Sequence, residues 1–329
     1  MRLIFLGSGS FGLPTLQSLI DRHDVAAVMS QPDRPAGRKR QMTPTPIANW
    51  AHHHGLCVLK VVDVNERPFV QQITDLRADA AVVIAFGQKL GQPLVDGLGR
   101  LAVNLHASLL PKYRGAAPIN WAIIQGETQT GLSVIGLAQR MDAGLIYGQA
   151  ATPIDPLETA GELHDRLAQM GPTLVAKVLD DLDRGTLAGQ AQEETAATKA
   201  PKLHKLDGTV QFDADAQDVR NRIHGLTPWP GVRVQWVRGQ EPDADRKTLI
   251  LRRVAAEPDL SCFIGLDPFQ KPPEPGTILP DHRVMVRDGT IRLLEVQVPG
   301  GRPVNMVDFA RGHRIAAGDR LVPCKRNPT

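Results

Sequence analysis

Short apolar runs alternate with segments of helical apolar spacing over the first 150 residues of the chain. The runs with a strand pattern are 2–6, 25–29, 80–85 and 101–105, and helical spacing is found at 13–22 and 46–54. This alternation predicts an α/β fold with a doubly wound, Rossmann-like, mostly parallel sheet. Ligands of such sheets bind beyond the carboxyl ends of the strands.

The rest of the chain has a different pattern. An amphipathic pattern at 159–184 predicts the helix that closes the first domain, and the segment after it, rich in Ala, Thr, Gln and Glu, is typical of a linker. Further strand-like runs, separated by Gly and Pro turns around one helical segment at 216–225, are 232–237, 248–254, 283–287 and 290–296. They favour a smaller β-barrel of the OB type, which often binds nucleic acids.

These patterns set the predicted domain limits. We expect a Rossmann-like catalytic domain at 1–185, a linker at 186–203 and a C-terminal OB-like β-barrel domain at 204–329. Residues 201–329 carry a net charge of +4, against −1 for residues 1–200. The excess of positive charge in the C-terminal part mildly favours a polyanionic partner for that domain.

The composition also bears on the compartment. Residues 1–6 lead into a Gly-rich turn rather than a small-residue cleavage site, so no signal peptide is predicted, and no apolar run approaches the ~20 residues of a membrane span. The cysteines, Cys57, Cys262 and Cys324, are odd in number and far apart, which indicates reduced thiols. We expect a cytoplasmic protein with no membrane partner, and a monomer.

An amide, an imidazole and a carboxylate form the most informative group of polar residues. Asn104 and His106 are two residues apart on a predicted strand, so both side chains point to one face of the sheet, and Asp142 follows in the string M-D-A-G. Amide and imidazole donors can stabilise the negative charge that develops on a carbonyl oxygen under attack by an amine. A carboxylate can fix the protonation of the imidazole and help to remove a proton. The set suits acyl or formyl transfer without a nucleophilic side chain.

The string N-L-H-A-S-L-L-P-K-Y-R-G-A-A-P, which begins at Asn104 and is followed by M-D-A-G, closely resembles the signature of formyltransferases that use 10-formyltetrahydrofolate. The methionyl-tRNA formyltransferases are the most similar, and the resemblance runs through nearly the whole chain. It implies transfer of the formyl group to the free amino group of methionyl-initiator tRNA. It also implies roles: Asn104 and His106 polarise the formyl oxygen, while Asp142 orients His106 and assists proton removal from the amine.

The resemblance further implies where the folate co-substrate binds. A strand-to-helix turn and the segment 137–141 match the pteridine pocket of the family, and a second stretch matches a folate-contacting loop. The matching residues of the turn and of this loop are Ala85, Phe86, Gly87 and Gln88, and Ser108, Leu109, Leu110 and Pro111. No metal site is predicted, because there is no C-x-x-C pair and the side chains of the His52–His53–His54 run diverge on a predicted helix.

A basic loop follows the second predicted strand. Residues 33–42 hold four cations between prolines, and they leave the sheet at the same rim as the candidate site. An exposed surface loop is the ordinary explanation. Cations here can instead hold the phosphates of a large substrate. The resemblance implies contact with the acceptor arm of tRNA through Arg38, Lys39 and Arg40.

Other functions remain open from the residues alone. Gly7, Gly9 and Gly12 match G-x-G-x-x-G and suggest an NAD-dependent dehydrogenase, but the second strand lacks the terminal acid that holds the ribose, since the nearest, Asp33, lies beyond a proline. A non-catalytic RNA-binding protein would rest on the β-barrel. Tyr113, the pair Asn120–Trp121 and the segment 202–207 depart from the family pattern. Those departures keep two other acceptors open, an amino sugar, or water in a formyl-folate hydrolase.

Overall fold

A computed structural model of the chain describes residues 1–37, 40–239, 245–259 and 273–324. The chain divides into two compact units that interleave along the sequence. The first comprises Met1–Gly115, Thr130–Thr152 and His164–Ala200, and the second Ala116–Gln129, Pro153–Leu163 and Pro201–Thr329. The domain limits 1–185, 186–203 and 204–329 stay a prediction.

The strands, in chain order, are β1 (Arg2–Gly7), β2 (Asp24–Ser30), β3 (Arg34–Ala36), β4 (Gln41–Thr43), β5 (Val58–Lys60), β6 (Ala80–Ile84), β7 (Leu101–His106), β8 (Arg114–Gly115), β9 (Gln129–Gly136), β10 (Ile146–Pro153), β11 (Lys199–Ala200), β12 (Val232–Val237), β13 (Arg246–Glu257), β14 (Arg283–Met285), β15 (Thr290–Gln297), β16 (Pro303–Asn305) and β17 (Arg320–Pro323). The helices are α1 (Leu13–Arg22), α2 (Pro46–His53), α3 (Arg67–Asp75), α4 (Gln92–Gly97), α5 (Pro118–Ile124), α6 (Ala160–Asp183), α7 (Ala216–Gly225) and α8 (Met306–His313). None of these described helices is long and apolar enough to cross a membrane.

A seven-stranded sheet with the order β10-β9-β7-β6-β1-β2-β5 is the core of the first unit. The neighbours from β5 to β7 pair in parallel, whereas β9 pairs antiparallel with β7. β1 and β6 are apolar on both faces and buried, as expected for central parallel strands with helices on either side. The predicted doubly wound sheet is therefore confirmed, and β9 and β10 extend it beyond the strands that the sequence pattern identified.

Helix α6 shows how closely local sequence sets an element. Its N-terminus carries a capping pair, in which Glu162 Oε2 accepts hydrogen bonds from the backbone N–H and the hydroxyl of Thr159, at 2.9 and 2.7 Å. Leu163, Leu167 and Leu174 recur at helical spacing and are buried. The helix ends within one residue of the predicted limits at both ends.

An antiparallel sheet with the path β14-β15-β13-β12-β17, to which β16 adds by pairing with β15, forms the core of the second unit. The segment 276–278 bonds to both edges: Thr277 bridges Arg320 of β17, and Ile278 bridges Val284 of β14. The circuit of strands thus closes, and the predicted β-barrel is confirmed. Trp236 on β12 is fully buried inside the unit, and its indole N–H donates to Asp319 Oδ2 at 2.9 Å.

His224 on α7 is the most deeply buried histidine of this unit, with 1% of its surface exposed. Its Nε2 accepts a hydrogen bond of 3.0 Å from the backbone N–H of Val254 on β13, which requires an unprotonated Nε2. Burial, and then the positive charges of Arg220 and Arg253, lower the pKa of His224 from 6.5 to about 4.

The unfolding free energy should therefore fall as the pH drops from about 6.5 to about 4. In this range His224 is protonated in the unfolded chain but stays neutral in the folded protein. A shift of this size corresponds to about 3 kcal/mol at the acid end of the window. Urea unfolding of the wild type and of His224→Gln at pH 7, 6 and 5 measures the effect. The wild type should lose more stability than the variant over this range, and parallel losses in both proteins would contradict the assignment.

Candidate active site

The end of β7 presents the two predicted donors. Asn104 lies opposite Val83 of β6 and Ile135 of β9, and His106 lies opposite Ser133 of β9. Because alternate residues of a strand point to the same face, the amide and the imidazole lie side by side. Asn104 is half-buried and His106 is 5% exposed.

A backbone carbonyl fixes the His106 ring. Nε2 lies 2.9 Å from the carbonyl oxygen of Tyr113, in a buried position. A carbonyl only accepts, so Nε2 carries the proton and donates it. Nδ1 is consequently the ring nitrogen whose proton can be exchanged with a substrate, and it lies 3.7 Å from Asp142 Oδ2.

Asp142 is held by the same loop. The backbone N–H of Gly115, two residues beyond Tyr113, donates to Asp142 Oδ2 at 2.8 Å. The 3.7 Å between this oxygen and the His106 ring is longer than a hydrogen bond, so the carboxylate acts on the ring through its charge. The Asn104 amide makes no hydrogen bond with the part of the chain that the structure describes, which leaves both of its donors free for a substrate.

Three residues of this region have a left-handed backbone without being glycine. They are Ala85 (φ 47°), Tyr113 (φ 61°) and Asp142 (φ 55°). Such conformations cost about 1 kcal/mol or more and persist where the surrounding contacts over-determine them, often at functional sites. Each of the three turns presents a group to the site: an exposed loop at the end of β6, the carbonyl that holds His106, and the carboxylate.

The turn after β6 splits the predicted folate residues into two kinds. Phe86 is buried in the apolar core of the unit, and the Gln88 amide bonds the backbone of 61–64, accepting from Val64 N–H and donating to the Val61 carbonyl at 3.1 and 2.9 Å. Ala85 and Gly87 are exposed. They follow the end of β6, where Val83 pairs with Asn104, and are the two exposed residues of the four in this turn.

The stretch after His106 is similarly divided. Ser108 is fully buried, and its hydroxyl donates to the Lys112 carbonyl at 2.7 Å, so it closes the loop upon itself. Leu110 is buried, and its carbonyl accepts from Gln149 Nε2 at 2.9 Å. Leu109 and Pro111 are half-buried and lie at the surface of the loop. The roles of all four residues toward folate remain predictions.

The arms of the basic loop form a short hairpin. β3 pairs with β4, so that Arg34 lies opposite Thr43. Arg40 is exposed in the turn between them, with φ at 50°. The predicted tRNA-contacting residues Arg38 and Lys39 lie outside the described residues.

The Gly-rich turn after β1 has a structural role beside the candidate site. The hydroxyl of Ser8, between Gly7 and Gly9, donates to the Phe86 carbonyl at 3.0 Å and accepts from the Gln31 backbone N–H at 3.2 Å. This hydroxyl therefore ties the turn after β6 to the end of β2. Among the described residues, no group of three or more His, Cys, Asp or Glu side chains has an arrangement that could hold a metal ion.

Sequence reasoning missed the groups that hold His106 and Asp142. The Tyr113 carbonyl and the Gly115 N–H are backbone groups, and no residue pattern identifies them. Gln192 was not predicted either, because it lies in the predicted linker. Its amide nitrogen donates to the carbonyl of Asp142 at 2.8 Å.

Known proteins match nearly the whole chain. The family described as "Formyl transferase" matches residues 1–179, and "Formyl transferase, C-terminal domain" matches residues 202–314. Methionyl-tRNA formyltransferase of Geobacter sulfurreducens is 38% identical over 326 residues, which cover 98% of this chain and 96% of that protein. The protein of the same name from Halothermothrix orenii is 34% identical and covers 98% of this chain and 100% of its own.

Two solved structures share the fold. An N-formyltransferase of Helicobacter canadensis, in complex with folinic acid and dTDP-3-aminofucose, superposes with a TM-score of 0.63 at 15% identity, covering 91% of this chain and 98% of its own. HypX of Aquifex aeolicus, in complex with tetrahydrofolic acid, gives 0.61 at 16% identity, covering 94% and 47%. At such low identity the likeness concerns the fold alone.

The hydrogen bonds predict opposite tautomers for two buried histidines. The neutral His106 ring should carry its proton on Nε2, and the neutral His224 ring on Nδ1, because the first donates to a carbonyl and the second accepts from an N–H. Nitrogen-15 NMR of histidine-labelled protein at pH 8 distinguishes them, with assignment from His106→Gln and His224→Gln. A His106 ring protonated on Nδ1 would contradict the described site.

Proposed function

The chain belongs to the methionyl-tRNA formyltransferase family, and from this premise we propose that it transfers the formyl group of 10-formyltetrahydrofolate to the amino group of methionyl-initiator tRNA. The observation that carries the proposal is the pairing of His106 Nδ1 and the unbonded Asn104 amide on one face, with Asp142 3.7 Å from the ring. This set matches the chemistry of an amine attacking a formyl carbon.

The reaction first requires that negative charge on the formyl oxygen be stabilised. When the amine nitrogen bonds to the formyl carbon, the carbonyl electron pair moves to the oxygen, and donors already in place stabilise it by several kcal/mol. The Asn104 amide supplies one donor. Protonated Nδ1 of His106 supplies the other, and the Asp142 carboxylate stabilises the positive charge of the ring in that state.

A proton must also leave the attacking nitrogen. A neutral amine that forms the new carbon–nitrogen bond becomes positively charged, and the bond between the formyl carbon and the folate nitrogen can then break, with one proton passing to that nitrogen. Oδ2 of Asp142 already accepts from Gly115, whereas Oδ1 makes no hydrogen bond within the described residues. We assign proton removal to this carboxylate, which can accept the proton on Oδ1.

The folate co-substrate supplies the formyl group as a carbonyl bonded to nitrogen. The exposed backbone at Ala85 and Gly87 offers donors and acceptors to a flat heterocycle, and the half-buried Leu109 and Pro111 offer apolar surface. These residues fit such a ligand by the chemistry of their exposed groups. Ser108, Leu110, Phe86 and Gln88 would act on folate only by shaping their loops, since their side chains are buried or bonded within the protein.

The acceptor is a large polyanion. Arg40, with Arg38 and Lys39 of the same loop, would contact tRNA phosphates beside the site, and the C-terminal residues, with their net charge of +4, would contact the rest of the tRNA. We also expect selectivity for the initiator tRNA, a monomer in solution, and a cytoplasmic location, where aminoacyl-tRNA is made.

The direct test of function is incubation of the protein with labelled 10-formyltetrahydrofolate and methionyl-initiator tRNA. Formylmethionyl-tRNA should accumulate, and its formation should weaken as salt rises from 50 to 200 mM. Parallel reactions with a nucleotide-linked amino sugar, and with no acceptor, measure the competing acceptors. Faster formylation of the sugar, or release of formate without acceptor, would overturn the assignment of tRNA.

Loss of each polar group should lower kcat. Asn104→Ala and His106→Ala should each cost about 10²- to 10³-fold, because each removes a donor used in the transition state. Asp142→Asn should cost a similar factor, since the amide can still occupy the turn but cannot accept the proton. Initial rates at saturating substrates measure the effect, with His53→Ala, an exposed histidine on α2, as the control. Turnover near that of the wild type in the Asn104 and His106 variants would exclude this mechanism.

Removal of one loop cation should affect binding of tRNA and leave the chemical step unchanged. Arg40→Gln should raise KM for tRNA, leave kcat unchanged and reduce the slope of log(kcat/KM) against log salt by about 1 if Arg40 neutralises one phosphate. Arg67→Gln, which removes an exposed charge on α3, is the matched control. Equal salt slopes for the Arg40 variant and the wild type would show that Arg40 lies outside the tRNA contact.

A further inference from the structure

Residues 190–200, hereafter the 190–200 segment, contact both backbone turns that hold the candidate catalytic side chains. The segment follows α6 in the first unit, within the residues that sequence composition marks as a linker. Its backbone first pairs with β10, where Gln190 and Ile146 exchange hydrogen bonds of 2.8 Å. It then reaches the loop 111–115 and the turn 142–144.

The contact with loop 111–115 fixes the carbonyl that holds His106. Thr198 Oγ1 accepts from the Tyr113 backbone N–H at 2.8 Å, and the Thr198 carbonyl accepts from the Arg114 backbone N–H at 2.9 Å. β11 pairs in parallel with β8 just beyond, Lys199 opposite Arg114. The left-handed Tyr113 is thus bonded through its N–H to the 190–200 segment and through its carbonyl to the catalytic imidazole.

The contact with turn 142–144 is made by one amide. Gln192 Nε2 donates to the carbonyls of Asp142 and Gly144, both at 2.8 Å. Gln192 Oε1 accepts from Nε and Nη2 of Arg114 at 3.0 and 2.7 Å. Both the nitrogen and the oxygen of the Gln192 amide are therefore hydrogen-bonded. The orientation of the amide is fixed, because the carbonyls only accept and the Arg114 guanidinium only donates.

Arg114 is itself held by an ion pair with Glu194. Its side chain is 10% exposed, and it pairs with both carboxylate oxygens of Glu194, at 2.9 and 3.1 Å. Glu194 also accepts from Arg140 at 2.9 Å. The hydrogen bond from Arg114, with further help from Arg140, lowers the pKa of Glu194, so this carboxylate is charged wherever the enzyme would work.

We propose that Gln192 is a positioning residue for formyl transfer, which holds the left-handed Asp142 turn so that the carboxylate stays at its working distance from His106. The inference rests on the proposed function, since it assigns Gln192 to the same reaction. The Gln192 amide donates to the carbonyls of Asp142 and Gly144, on either side of Ala143. These two hydrogen bonds fix the backbone conformation of the turn. A misplacement of about 1 Å at a catalytic group can cost about 10²-fold in rate.

Two substitutions and a matched control separate positioning from stability. Gln192→Glu keeps an acceptor for Arg114 but turns an oxygen toward the two carbonyls, and Gln192→Met removes the donor without adding charge. The control is Gln190→Glu, the same chemical change two residues away, at an exposed side chain with no hydrogen bond to the described part of the chain. Thermal unfolding midpoints verify that each variant is folded.

Kinetics with methionyl-tRNA and 10-formyltetrahydrofolate then give the readout. We expect kcat to fall by about 10- to 10²-fold in both Gln192 variants, with KM for each substrate within about twofold of the wild type, and no change in Gln190→Glu. A purely structural role would lower the unfolding midpoint and leave kcat per folded molecule unchanged.

Three outcomes overturn the inference: kcat within twofold of the wild type in both Gln192 variants, an equal loss in Gln190→Glu, or failure of both Gln192 variants to fold, which would give Gln192 a role in folding instead. Wild-type protein assayed in parallel separates a failure of the proposed function from a failure of the positioning role. An inactive wild type refutes the function itself, whereas an active wild type with unaffected variants refutes only the positioning role.

Discussion

The register of β7 between β6 and β9 is the constraint on which the candidate site depends. Asn104 faces Val83 on one side and Ile135 on the other, and a slip of one residue would turn both the amide and the imidazole to the opposite face of the sheet. The same pairing brings the turn after β6 beside Asn104. Apolar strands buried on both faces hold this register, so the packing of the core determines which atoms the site presents.

Backbone groups then give the side chains their chemical roles. Nε2 of His106 donates to the Tyr113 carbonyl, which leaves Nδ1 as the ring nitrogen available to a substrate in the proposed mechanism. The Gly115 N–H donates to one oxygen of Asp142. Both groups belong to one short loop, which is itself bonded to the 190–200 segment through Thr198. Residues that never touch a substrate can therefore change the rate by moving this loop.

Elements defined by strong apolar periodicity were predictable from the sequence. Helices α1 and α7 and strand β12 have the predicted limits, and the parallel sheet and the barrel follow from how such elements pack. The short α3 and α4 and the antiparallel β9 were not predicted, and the two helices bury only Phe69 and Ile73 in α3 and Leu94 in α4. Asn104 and His106 stood out as polar side chains at the end of a strand, and Asp142 stood out through the string M-D-A-G. Tyr113 and Gly115 did not, because they act through backbone groups, and Gln192 did not, because its hydrogen bond to a residue 50 positions away depends on tertiary structure.

A crystal structure of the protein with a stable 10-formyl folate analogue tests the central claim most directly, because it locates the formyl oxygen. We predict that this oxygen lies within about 3.2 Å of both His106 Nδ1 and the Asn104 amide nitrogen, with Nε2 still bonded to the Tyr113 carbonyl. A formyl oxygen bound elsewhere, or a His106 ring turned so that Nε2 faces the analogue, would contradict the proposed mechanism.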